Sequence, residues 1–407
     1  MVNILYKDFN DRINIVDSSN EYLIDTNNDK WLDATSGGFA VTLGYKIKEI
    51  NNAMIEVSNT VSQCHHFQHK HIYTDKLSNT MNLYSFFKNN YSDVITVGSA
   101  SDAMEIAMRT IIKKNVLKKE SHKIKFLSRD NAYYGGTLGC YTISDRKTYK
   151  KHTSYAYMDC LHFKAPIGIY TEEDSINDLL YQIEKYEPEN IAGIIVELIP
   201  STSCGVYIPT QKYNETIQNI CLEYNIPFIV DDVVTNTGRV GYVSSCEYYS
   251  NIIPDIIIQG KGITNGIVPC GATIFKNSFL DVFKHSKESI DISFTAMNNP
   301  IVCNIWSEML LYMLKNDIYT TVRQNHNIIK DMIKNLTYRI DTLGNWLGID
   351  IPNEKINIIK NKFLKEKIFV FSGVSQTKNC SNIVFAWPLC TSHENIQNSL
   401  QLLIELL

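Results

Sequence analysis

Apolar residues in this chain come in short unbroken runs, and three of those runs end in an ionisable side chain. Ala192-Gly-Ile-Ile-Val196 leads to Glu197, Ile226-Pro-Phe-Ile-Val230 leads to Asp231-Asp232, and Pro254-Asp-Ile-Ile-Ile-Gln-Gly260 leads to Lys261. The three charged positions follow one another at intervals of roughly 30–35 residues, the length of one strand–helix repeat. Between the first two lies Tyr213–Tyr224, whose Ile217, Ile220, Cys221 and Tyr224 share one helical face. Continuous apolar runs alternating with such stripes predict an α/β fold with a parallel sheet covered on both faces. Ligands bind beyond the carboxyl ends of the strands in sheets of this kind, so Glu197, Asp231 and Lys261 are expected to converge there.

That set of groups suits imine chemistry. A lysine amine can join an aldehyde cofactor, and a carboxylate can keep the cofactor's ring nitrogen protonated so that the ring acts as an electron sink. Lys261 is the candidate amine and Asp231 the candidate ring partner. Glu197 is left to orient groups nearby or to close a salt bridge. A phosphate on such a cofactor needs an anion site, and Val97-Gly-Ser-Ala-Ser-Asp-Ala-Met-Glu105 offers one. Its small residues allow close backbone approach, Ser101 reads as a helix N-cap, and Ala103, Ile106 and Ala107 begin an apolar stripe. Tyr133, in Asn131-Ala-Tyr-Tyr-Gly-Gly-Thr137, could stack on a pyridine ring.

These segments resemble the class III pyridoxal-phosphate aminotransferases, the ornithine, acetylornithine, 4-aminobutyrate and diaminopelargonate type, over nearly the whole chain. Asp231-Asp-Val-Val-Thr-Asn-Thr-Gly-Arg-Val-Gly241 is similar to that family's D-E-V-x-T-G-x-G-R-x-G. The run from Pro254-Asp255 through Lys261 to Gly266, Pro269 and Gly271 resembles its lysine segment. Ser99–Glu105, Tyr133–Thr137 and Phe294–Pro300 resemble S-G-S-E-A-N-E, Y-H-G-x-T and F-T-[FY]-x-x-N-P. Tyr22–Asp25, Trp31–Asp33 and Ser36–Gly44 resemble the family's opening.

The resemblance implies a fold-type I enzyme: a large domain (51–295) with a mostly parallel seven-stranded sheet, and a small α+β domain assembled from both termini (1–50 and 296–407). It implies pyridoxal 5'-phosphate as cofactor, bound by Ser99, Ala100, Ser101, Tyr133, Glu197, Asp231, Val233, Lys261 and Thr295. Lys261 would be the Schiff-base lysine, Tyr133 and Val233 would cover opposite ring faces, and the backbone at Ala100 and Ser101 would hold the phosphate. Thr295 would reach the phosphate from a neighbouring subunit, making the working unit a homodimer with shared active sites. The partners would be a small amino donor and a carbonyl acceptor. Aminomutase, racemase and decarboxylase chemistry would use the same Lys261 and Asp231. A non-catalytic cofactor binder would not need the intact pair.

Several positions depart from the family pattern: Ala100 for glycine, Asp232 for glutamate, Tyr134 for histidine, Leu198 for proline, Asn236 for glycine, and Val234 where many members have glutamine. None removes a group the imine chemistry requires, and Ala100 is tolerable if its φ is negative. A further departure bears on substrate. Many members place an arginine near the C-terminus to grip a substrate carboxylate. Phe369–Val374 and Asn382–Leu389 contain none, with Val384 near the expected position. The expected substrate is therefore an ω-amine or a biosynthetic carbonyl compound.

The remaining pattern fills in the frame. Tyr22–Asp25 and Lys30–Asp33 flank Asn27-Asn28, a hairpin signal. Helices are expected over Lys46–Ser58, from Ile301, over Val322–Leu336 and over Ile396–Leu406, with strands at Ile368–Phe371 and Ile383–Ala386. The chain has 407 residues and a formal net charge of −4, which gives no nucleic-acid footprint. It shows no G-x-G-x-x-G or P-loop, no apolar leader and no stretch approaching a membrane span. Ten scattered cysteines without a Cys-x-x-Cys pair read as reduced thiols, and the expected location is cytoplasmic. Cys64-His-His-Phe-Gln-His-Lys-His71 is rich in metal-binding residue types, but its spacing fits no zinc pattern. A histidine or phenylalanine of that segment is expected to line the pocket, and no metal is expected.

Overall fold

A computed structural model describes residues 12–145, 160–201, 203–375 and 377–407. The first eleven residues of the segment assigned above to 1–50 lie outside the described residues. Three strands open the chain: β1 (Ile15–Ser19), β2 (Tyr22–Asp25) and β3 (Lys30–Asp33). The central sheet follows: β4 (Tyr91–Val97), β5 (Lys125–Arg129), β6 (Cys160–Phe163), β7 (Ile191–Val196), β8 (Phe228–Asp231), β9 (Ile256–Gly260) and β10 (Gly271–Lys276). The last part contributes β11 (Ile340–Leu343), β12 (Trp346–Pro352), β13 (Ile368–Phe369), β14 (Phe371–Val374) and β15 (Cys380–Ala386).

The central sheet has seven strands in the order β4-β10-β9-β8-β7-β5-β6. Only β10 runs against its neighbours; the β9-β8, β8-β7, β7-β5 and β5-β6 pairs are parallel. The apolar runs conceal a period of two that serves two cores. Ile194, Val196, Phe228, Val230 and Ile257 pack into one hydrophobic cluster, with Tyr213 and Ile217 of the helix Gln211–Glu223. Ile195, Ile229, Ile256 and Ile258 pack into the other, with Ala103, Ile106 and Ala107 of the helix Ala100–Leu117.

Two smaller sheets flank this body. In β1-β2-β3-β13, the short C-terminal strand β13 lies parallel to β3, with Ile368 opposite Leu32 and Trp31 stacked on Phe369 at 5.0 Å. The antiparallel sheet β11-β12-β15-β14 is backed by a third cluster around Ile349, Phe363, Phe385 and Trp387. Strands from both chain ends thus share the sheet β1-β2-β3-β13. The long C-terminal helical region is two helices, Pro300–Lys315 and Ile318–Ile333.

Several long-range hydrogen bonds seat the N-terminal segment on the turn after β9. Leu43 N–H donates to Asn265 Oδ1 at 2.8 Å, and Asn265 Nδ2 donates to the Gly44 carbonyl at 2.8 Å. The Ser36 hydroxyl donates to the Ala386 carbonyl, and Arg239 Nη1 donates to the Trp387 carbonyl at 2.7 Å. Below the β8 end, the buried carboxylate of Asp232 accepts from Thr235 Oγ1 (2.6 Å), Ser245 N (3.1 Å), Ser245 Oγ (2.6 Å) and Gln259 Nε2 (3.0 Å). The shorter acid that replaces glutamate is thereby fully satisfied. In Asp232→Ala these buried donors lose their acceptor, and the expected loss is about 3 kcal/mol or more of folding stability. Denaturant unfolding at neutral pH checks this; an unchanged midpoint would contradict it.

Candidate active site

Parallel register brings the ionisable strand ends together. Val196 pairs with Val230, and Asp231 pairs with Ile258, so Glu197, Asp231 and Lys261 leave adjacent strands at the same edge of the sheet. There they line one cleft of about 550 Å³, with Ser99, Ala100, Ser101, Tyr133 and Val233. That volume falls within the range of ligand pockets. Eight of the nine predicted site residues therefore meet. The ninth, Thr295, lies exposed on a loop outside the cleft, where its carbonyl accepts from Gln63 Nε2 at 2.6 Å.

Lys261 follows Gly260 directly and has φ +48, a left-handed backbone that is rare for a residue with a side chain and costs about 1–3 kcal/mol. Surrounding contacts hold it there. Asn236 Nδ2 donates to the carbonyls of Asp232 (2.7 Å), Val233 (2.9 Å) and Gly260 (3.2 Å), tying the turn after β8 to the end of β9. Asn236, which replaces the family's glycine, thus fastens the two strand ends. The Lys261 ammonium lies 5.4 Å from the centre of the Phe39 ring. Burial lowers its pKa below the ordinary lysine value, against the opposing pull of Asp231 and Glu197.

The carboxyls move the other way. Burial, then the neighbouring Glu197 charge, push Asp231 up to about 8, although Val233 N–H donates to its Oδ1 at 3.0 Å. Burial also raises Glu197, partly offset by Arg129, and Ser201 N–H donates to Glu197 Oε2 at 3.0 Å. Arg129 was not singled out by sequence reasoning. It ends β5, is fully buried, and donates through Nη2 to the Glu197 carbonyl. The signal that could have found it was the one used for the other three: a short strand ending in an ionisable group.

The expected anion cradle sits at the start of the helix Ala100–Leu117, with one correction. The N-cap is Ser99, whose hydroxyl oxygen accepts from Asp102 N at 3.1 Å. Ser101 lies inside the first turn, and its hydroxyl accepts from Gly136 N at 3.0 Å instead. Ala100 is helical with negative φ, so its methyl group is accommodated. Close approach is required elsewhere: a Cβ on Gly271 would stand 2.1 Å from the Ser99 carbonyl oxygen, and one on Gly260 2.9 Å from Ala100 Cβ. These glycines let two strands abut the cradle. The chemistry of the set fits pyridoxal phosphate: an amine, a carboxyl that gains from a cationic partner, a helix N-terminus for the phosphate, and Tyr133 and Val233 for the ring.

The Cys64–His71 segment does not reach this cleft within one chain, contrary to expectation. Its His71 Nε2 pairs with the Asn298 carbonyl at 2.7 Å, so the segment is clasped to the Thr295–Asn299 loop. Among the described residues no group of three or more His, Cys, Asp or Glu side chains is arranged to hold a metal ion, and no helix is long and apolar enough to cross a membrane. None of the ten cysteines is in a disulfide.

The profile of the family described as aminotransferase class-III matches residues 6–407. The chain is 27% identical over 303 residues to a β-alanine–pyruvate aminotransferase of Pseudomonas aeruginosa, covering 71% of this chain and 67% of that protein. It is 24% identical over 396 residues to an ornithine aminotransferase of Plasmodium chabaudi chabaudi, covering 94% and 89%. A transaminase structure from the marine bacterium Virgibacillus superposes with a TM-score of 0.90 at 18% identity, covering 97% of this chain and 92% of that one, a likeness of fold.

The electrostatics of the cleft have a measurable sign. The folded protein keeps a proton on Asp231 up to about pH 8, whereas the unfolded chain releases it near ~3.9. This group's contribution to stability is present below pH ~4 and is lost as pH rises through about 8. In ligand-free protein, Asp231→Asn removes that loss. Its melting temperature relative to wild type should therefore climb between pH 5 and pH 8.5. Parallel pH profiles for the two proteins would contradict the assignment.

Proposed function

This chain belongs to the class III aminotransferases, which are pyridoxal-phosphate enzymes, and from that premise we propose that it transfers amino groups through Lys261, with Asp231 as the partner of the cofactor's ring nitrogen. One observation carries the reading: Lys261 and Asp231 leave adjacent parallel strands and line the same cleft. The bound cofactor supplies an electron sink for charge developing on the substrate carbon. The chain supplies the rest. Lowered by burial, Lys261 offers a neutral amine to carbonyl carbon more readily than a solvated lysine does, and its Nζ carries the proton from the amine-bearing substrate carbon. Asp231, whose charged form burial disfavours when it stands alone, would gain a cationic partner in a protonated ring nitrogen. The N–H groups of Ala100 and Ser101 would hold the phosphate, with Ser99 capping the turn, and Tyr133 and Val233 would cover the ring. Glu197 is held by Ser201 N–H near both charges.

The donor is proposed to be an ω-amine or other substrate without an α-carboxylate, or the acceptor a biosynthetic carbonyl compound. No arginine lines the cleft among the described residues. Val384, near the family's carboxylate-binding position, is buried on β15 opposite Phe371, whose ring meets Phe39 edge-on at 5.5 Å. Arg239 donates through Nη1 to the Trp387 carbonyl and does not line the cleft, and burial lowers it to about 10. An apolar, aromatic wall thus runs from Lys261 toward the place where a guanidinium would be expected.

The proposed unit is a cytoplasmic homodimer in which Thr295 of one copy completes the phosphate site of the other. The exposed position of Thr295, outside its own cleft, supports this, and ten cysteines with no disulfide between them support the location. The proposed division is a large domain over 51–295 and a small one from 1–50 and 296–407; the separate flanking sheets support it.

Reconstituted wild type should show a visible cofactor band that a good amine donor bleaches. Lys261→Ala should lack that band and transfer amino groups about 10³-fold more slowly. A retained band and rate would sink the lysine assignment. In a donor panel, kcat/KM should be higher for amines lacking an α-carboxylate than for the matching α-amino acids. The reverse order would reject the substrate reading while leaving Lys261 in place.

A further inference from the structure

The end of the central sheet opposite the cofactor cleft carries a second cavity, and we propose that it binds a small anion bearing phosphate or carboxylate groups. The cavity, of about 140 Å³, is well above the ~10–15 Å³ that admits one water. It opens where the parallel strands begin, at Phe228 of β8 and beside Asp255 ahead of β9. Lys276 closes β10 there. Its charged lining is uneven: Lys114, Lys118, Lys123 and Lys276 face it, against Glu120 and Asp255.

None of the four lysines forms a salt bridge among the described residues. Asp255 is already used, accepting the Phe228 N–H at 3.0 Å. Lys123 is only 8% exposed, and its ammonium has one long contact, to the Asn225 carbonyl at 3.4 Å. Lys114 Nζ donates to the Phe279 carbonyl at 2.9 Å and lies 3.4 Å from the centre of that ring. Burial, and then the nearby charge of Lys118, lower Lys114 to about 8.

An ordinary cause accounts for part of this cluster. Lys114 and Lys118 end the helix Ala100–Leu117, whose C-terminus attracts cations. It does not account for Lys123 and Lys276, which come from separate elements and turn into the same space. Lys114, Lys118, Lys123 and Lys276 outnumber Glu120 and Asp255 around the cavity, so an anion seated there would gain from the excess of positive charge. The apolar floor of Pro227, Phe228 and Phe279 leaves room for the carbon body of a metabolite beside its charged group.

Calorimetric titration of the holoenzyme tests the site, with inorganic phosphate in one arm and citrate in the other, each at ionic strength matched with sodium chloride. In the holoenzyme the cofactor's own phosphate fills the cradle at Ser99–Ser101. Saturable binding is expected in at least one arm, and the arm that binds identifies the group recognised. Lys118→Gln/Lys276→Gln, which changes side chains at the cavity rim, should weaken that binding about tenfold or more, and Lys114→Gln should do likewise. Absence of saturable binding in both arms, or equal affinity in wild type and both variants, would overturn the proposal.

Discussion

Two carboxyls and an ammonium share one cleft, and much of the architecture serves to keep them there. Burial shifts the pKa values of Asp231 and Lys261 in opposite directions, each against its charged form. Such groups stay together only if the backbone leaves them no alternative. Parallel register provides that constraint, since it fixes which residues of β7, β8 and β9 stand side by side. Asn236 then locks the β8 turn to the β9 end, and the left-handed backbone at Lys261 is sustained by those contacts. The two hydrophobic clusters on either face of the sheet make the register costly to shift, because a one-residue slip would exchange their members.

The same constraint explains why the site needs the chain ends. The turn carrying Lys261 is pinned by Asn265 to Leu43 and Gly44, and that N-terminal segment is pinned in turn to Ala386. Phe39 comes from this segment and Phe371 from β14, so the aromatic wall beside Lys261 is built by both termini. On the proposed substrate reading, preference and fold are coupled: the region expected to hold a guanidinium is filled by the packing of Phe39, Phe371 and Val384.

Much of this was legible in the sequence, for a physical reason. Parallel strands buried on both faces must be apolar throughout, so β7, β8 and β9 stand out, and the residues that end them stand out with them. Arg129 ends its strand in the same way, but Lys125-Phe-Leu-Ser-Arg129 begins and ends in charge, which hides the apolar run. The cap was misplaced from Ser99 to Ser101 because both are serines at the mouth of one helix, and only the Asp102 N–H contact separates them. The role of Asn236, the strained φ of Lys261 and the lysine cavity were not legible. Each arises where segments far apart in sequence close on one another, and no local pattern encodes that.

Reduction with borohydride followed by peptide mapping tests the central claim most directly. Treating the reconstituted protein should fix the cofactor irreversibly on a single peptide, with the added mass on Lys261. A chain with 32 lysines offers many other amines. Labelling spread over several surface lysines, or concentrated on one outside the cleft, would contradict the account.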